Sequence, residues 1–134
     1  MLAKKIKFVD FDGNEREETF YFNLRKSEIT DMQLEVKGGL TTIIERIVET
    51  KDIPELIKLF KDLIRRSYGE KSADGRNFIK NVRVWENFES TNAYSELYME
   101  LATNADAAAD FINAIVPPEY AAESAKALEQ KSEN

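Results

Sequence analysis

Between residues 40 and 64 the chain twice repeats apolar side chains with the period of an α-helix. Leu40, Ile43, Ile44, Ile47 and Val48 fall at i, i+3, i+4, i+7 and i+8, and Ile53, Leu56, Ile57, Phe60, Leu63 and Ile64 again form one stripe, at i, i+3, i+4, i+7, i+10 and i+11. A helix with one apolar stripe is stable only when that stripe is covered, so these two helices must pack on something. They read as core rather than as a ligand groove. With 134 residues, the chain has material for one hydrophobic core and not for two.

The remaining elements fall around this pair. Ile6 to Phe11 is rich in β-formers, Asp12-Gly13 is a two-residue turn signal, and Glu18 to Phe22 returns with Phe20, Phe22 and Leu24 on one face. That pattern predicts a hairpin over 5–24 with its register open. A short helix near Lys26–Val36 is stopped by Gly38-Gly39, while Asp52 and Pro54 mark the start of the second striped helix. Beyond residue 80, Trp85 and Phe88 seat against the core. Ser90 or Thr91 caps a helix carrying Tyr94, Leu97, Tyr98 and Leu101, and an alanine-rich helix with Phe111, Ile112 and Ile115 ends at Pro117-Pro118. The expected fold is α+β, mostly α-helical: an N-terminal β-hairpin followed by a compact bundle of about five to six helices. Residues 1–118 form the single domain, and 119–134 form a flexible acidic C-terminal tail with Tyr120 and Leu128 as its only large apolar residues.

Composition narrows the function classes. The chain has no cysteine and no histidine, which removes thiol chemistry, disulfides, the commonest general base and the commonest transition-metal ligand. No run approaches the roughly 18 apolar residues of a membrane helix, so no membrane partner is expected and the expected location is the cytoplasm. The net charge of −6 is unevenly placed: residues 1–85 hold 17 Lys/Arg against 15 Asp/Glu, whereas residues 86–134 hold 2 against 10. An acidic chain of pI near 4.8 with no basic stripe interleaved with aromatics is a poor nucleic-acid binder.

The motifs that could carry chemistry do not complete themselves. "DFDGNE" resembles the start of a calcium loop, but counted from Asp10 the glycine falls at position four and position twelve is Tyr21, where an EF-hand needs glycine at six and Glu at twelve. "YGEKSADGRNFIK", residues 68–80, packs two glycines and three cations together, yet lacks the Lys-Ser/Thr that follows a phosphate-binding loop. It reads as a connector: Gly69 in the left-handed conformation closing a helix, a turn at Asp74-Gly75, and Phe78-Ile79 returning to the core. Helical carboxylate pairs such as Glu96/Glu100 and Asp106/Asp110 match an acidic solvated face as well as a site. No catalytic, cofactor-binding or metal-ligating residue is nominated, and no cofactor.

The order of "FYFNL", "GGL" leading into a helix, "IKLFKDLIRRSYGEKSADGRNFIK" and "AYSELYMELATNADAAADFINAIVP" resembles the tail assembly chaperones of long-tailed, non-contractile bacteriophages and their prophages, over roughly residues 7 to 118. The resemblance implies a non-enzymatic assembly factor. Its partners would be the tape-measure protein, which it coats, and the tail-tube protein, which it recruits in the host cytoplasm before leaving the tail. Self-association is compatible with it. Such a chaperone is absent from the mature virion; the alternative is a minor structural component of the tail or connector that stays in the particle. For partner binding the sequence nominates Trp85, Tyr94, Tyr98 and Phe111, because the C-terminal helices carry more aromatics than one stripe requires.

Overall fold

A computed structural model describes residues 1–118; residues 119–134, set apart above as an acidic tail, lie outside the described residues. The elements in chain order are β1 (Leu2–Val9), β2 (Glu15–Phe22), α1 (Lys26–Glu35), α2 (Gly39–Glu49), α3 (Ile53–Ser67), β3 (Tyr68–Lys71), β4 (Phe78–Ile79), α4 (Val82–Glu89), α5 (Asn92–Thr103) and α6 (Ala105–Ile115). The fold is α+β and mostly helical, with the N-terminal hairpin the sequence predicts.

The hairpin register places Ile6 opposite Glu18 and Leu2 opposite Phe22. Alternation then sends Ile6, Phe8, Phe20 and Phe22 to one face, where Phe22 is fully buried, while Lys5, Lys7 and Thr19 face away and are exposed. The helices cover the first face. Both striped helices bury the residues their spacing selects, Leu40, Ile43, Ile44 and Ile47 on α2 and Phe60, Leu63 and Ile64 on α3. Val48, Leu56 and Ile57 are half-buried, and Ile53, at the exposed start of α3, is 61% exposed. Phe22 is the hub of the core, with edge-on contacts to Tyr68 at 5.6 Å, Phe88 at 5.8 Å and Phe111 at 5.4 Å between ring centres.

Residues 68–80 depart from the connector the sequence predicts. They form a second hairpin that extends the sheet to four antiparallel strands in the order β1-β2-β3-β4. Tyr68 leaves α3 in an extended conformation and pairs with Phe22, and Gly69 pairs with Tyr21. Gly69 is therefore not the left-handed helix stop; positive φ occurs at Gly13, Gly38, Gly39 and Gly75. What requires glycine at 69 is space, since a Cβ there would lie 2.7 Å from the Phe78 ring. Phe78 is half-buried across that glycine, and Ile79 is 45% exposed, so neither re-enters the core. The turn at Asp74-Gly75 is as expected: Asp74 Oδ1 accepts from Ser72 Oγ and from the Arg76 backbone, with Gly75 at φ 77°.

Candidate functional site

The C-terminal helices are tied to the hairpin at defined points. Thr91 caps α5 by accepting from the Tyr94 backbone N–H, and Asn104 caps α6 by accepting from that of Ala107. Asn92 Nδ2 donates to the Val9 carbonyl at 2.8 Å, fixing the start of α5 against the end of β1, and Lys4 pairs with Glu100 at 3.1 Å further along. On α5, Ala93, Leu97 and Leu101 recur every four residues and are buried. Tyr94 and Tyr98 follow them by one position, so they share a neighbouring face and are half-buried.

The four nominated aromatics separate accordingly. Phe111 is 3% exposed and packs on Phe22, so the core uses it fully. Trp85, at 9% exposure, sits edge-on to Tyr94 at 5.6 Å and is core along most of its surface. Tyr94 packs on the edge of the core and Tyr98 is half-buried beside it. They come together at 6.1 Å between rings on one wall of a concavity of about 390 Å³ that also takes in Lys61, Glu89 and Phe11. Burial, then the charge of Glu89 and the neighbouring Tyr98 phenol, raises the Tyr94 phenol above its ordinary value, so it stays neutral at physiological pH.

Phe11 is the residue that sequence reading misses. It belongs to the turn rather than to a strand, and it is 79% exposed. Its turn is closely held. Asp10 Oδ1 accepts from the backbone N–H groups of Asp12 and Asn14, and Asp10 Oδ2 accepts from Arg16 Nε at 2.6 Å. The Arg16 hydrogen bond is the main cause that holds the Asp10 carboxyl below the usual carboxylate range. A large aromatic at the tip of a turn rich in Asp and Gly, where small polar residues dominate, was the available signal.

A larger cleft of about 620 Å³ runs between α1, α3 and α4, over Met32, Tyr68 and Trp85. Its charged groups are largely engaged with one another: Arg66 with Asp62 and with Glu35, each at 2.8 Å, and Lys80 with Glu28 at 2.7 Å. Internal pairing of this kind marks a seam between elements. Among the described residues no group of three or more acidic, His or Cys side chains could hold a metal ion, and no helix is long and apolar enough to cross a membrane.

The architecture defines a mostly helical α+β domain whose described surface carries an aromatic notch at the hairpin tip. A family model described as phage tail assembly chaperone matches residues 1–134. The chain belongs to that family. No curated protein and no solved structure matches it.

Proposed function

We propose that this tail assembly chaperone binds the tape-measure protein and recruits tail-tube subunits during tail morphogenesis. It acts in the host cytoplasm, by binding rather than by catalysis, and leaves before the virion is complete. The observation that carries the reading is the family match over residues 1–134. The lack of histidine and cysteine in the sequence favours a binding role, because it removes the commonest general base and thiol nucleophiles. The exposed carboxylates and small aromatic notch also suit a reversible contact better than a permanent apolar interface.

Co-expression with the tape-measure protein tests this directly. The tape-measure protein should remain soluble with the chain and co-purify with it, and purified virions should lack the chain. No gain in solubility would remove the tape-measure reading, and stoichiometric retention in virions would favour a structural component instead.

A further inference from the structure

We propose that Asp12 is a site of spontaneous backbone modification, its conversion to isoaspartate through a succinimide, and that the fold protects Asp74, the other aspartate followed by glycine. The sequence holds two such pairs, Asp12-Gly13 and Asp74-Gly75. In an Asp-Gly pair the glycine nitrogen can attack Cγ of the aspartate, because glycine has no Cβ to obstruct the approach. The N–Cγ bond forms as the glycine N–H gives up its proton and water leaves, and the ring then takes up water at either carbonyl. Opening at one restores aspartate. Opening at the other leaves the main chain running through the former side chain, one carbon longer, with a free α-carboxylate. One water leaves and one enters, so no other reactant is needed.

The two turns give the backbone the same opportunity. Each glycine has positive φ, 83° at Gly13 and 77° at Gly75, and each donates its N–H to the carbonyl three residues back, that of Asp10 or Ser72, at 3.0 Å. Both aspartates are exposed, and a Cβ at either glycine would meet nothing within 4 Å. What differs is the hold on the carboxyl under attack. Asp74 Oδ1 accepts from Ser72 Oγ at 2.7 Å and from the Arg76 backbone N–H at 3.1 Å, and the Ser72 bond is the main cause that keeps this carboxyl below the usual carboxylate range. These bonds fix the side chain and favour the anion, the form that resists attack by nitrogen. The Asp12 carboxylate receives no hydrogen bond and no ion pair from the described residues. Its turn is clamped by Asp10, which accepts from the Asp12 backbone N–H and leaves the Asp12 side chain unheld. Modification is therefore directed to the hairpin tip beside Phe11, where the extra carbon lengthens the ring that the Gly13-to-Asp10 hydrogen bond closes.

The test ages the full-length chain at physiological pH and temperature in water enriched in heavy oxygen, which every ring opening installs in the residue, and then maps the peptides by mass spectrometry. Methyl transfer from S-adenosylmethionine by an isoaspartyl methyltransferase identifies the rearranged product. Label should enter the Asp12 peptide at least about tenfold faster than the Asp74 peptide, a barrier difference of about 1.4 kcal/mol. In urea the two rates should converge, because the fold is what separates them. Ser72→Ala, which removes the stronger hold on Asp74, should speed labelling there about tenfold and leave the Asp12 rate unchanged. Equal rates in the folded chain overturn the proposal, as do faster labelling at Asp74 and labelling at neither site. A difference that persists undiminished in urea overturns it by placing the cause in the neighbouring sequence, and an unchanged Asp74 rate in Ser72→Ala overturns it by showing that the hydrogen bonds do not protect.

Discussion

The hydroxyl of Tyr94 is buried and has no hydrogen-bond partner among the described residues, while its ring makes edge contacts to Trp85 at 5.6 Å and Phe88 at 5.7 Å. The ring stabilises and the hydroxyl opposes it. Tyr94→Phe keeps the ring and removes the unmatched polar atom, so it should raise the unfolding free energy by about 1 kcal/mol, measured by urea denaturation; a loss would mean that the hydroxyl has a partner. At Gly69 a Cβ would meet the Phe78 ring at 2.7 Å and the Ile79 carbonyl oxygen at 3.0 Å. Gly69→Ala should therefore destabilise by roughly 1–3 kcal/mol. Adding Phe78→Ala should recover part of that loss rather than add to it, since the ring is the nearer obstacle.

At the scale of elements, one side chain joins three of them. Lys80, just after β4, donates to the Asn23 and Arg66 carbonyls, each at 2.6 Å, and to Glu28 Oε2 at 2.7 Å. This ties β2, the C-terminal turn of α3 and α1 to the second hairpin, with the ammonium placed where a helix C-terminus favours a cation. The two partners shift in the same direction, although an ion pair alone would raise the lysine. Burial lowers Lys80 and outweighs its pairing with Glu28, whereas at Glu28 burial is overcome by hydrogen bonds from Lys80 and the Arg25 backbone, which leave the carboxyl below its ordinary value. A depressed carboxylate contributes stability that is present above its unfolded pKa, about 4.3, and lost as the pH falls through the lower folded value. Glu28→Gln should therefore flatten the acid limb of the melting temperature against pH below about pH 4. Lys80→Ala, which removes the ammonium from Glu28 Oε2 and from the Asn23 and Arg66 carbonyls while Arg25 still donates to Glu28 Oε1, should cost roughly 2–3 kcal/mol at pH 7. An unchanged acid limb in Glu28→Gln would show that Lys80 is held by the carbonyls alone.

Over the whole molecule the hairpin and the helices share one core. Leu97 is fully buried in it from α5, and Phe22 touches rings from β3, α4 and α6. Leu97→Ala should then cost about 3–4 kcal/mol. Because one core leaves no part to unfold separately, the Trp85 fluorescence and far-ultraviolet dichroism transitions should coincide in wild type and variant alike. Transitions that separate would show that the sheet and the helices melt as independent units.

What the sequence determined was whatever a single element can encode. The stripes of α2 and α3, the stop at Gly38-Gly39, the cap at Thr91, and the Asp-Gly turns of both hairpins are local matters of period and backbone conformation, and each is visible within about a dozen residues. The sheet beyond the first hairpin was not encoded that way. "YGEK" is a weak strand former, and it becomes β3 because Tyr68 lies opposite Phe22 and Gly69 lets Phe78 close over it. The notch was equally invisible, because excess aromatics in a helix do not say which of them the core will take. Tertiary packing consumed Phe111 and nearly all of Trp85, left Tyr94 and Tyr98 half-covered, and brought to them Phe11 from more than eighty residues away. Period fixes which face of an element is apolar; only the fit of all the faces together decides how much of each remains outside.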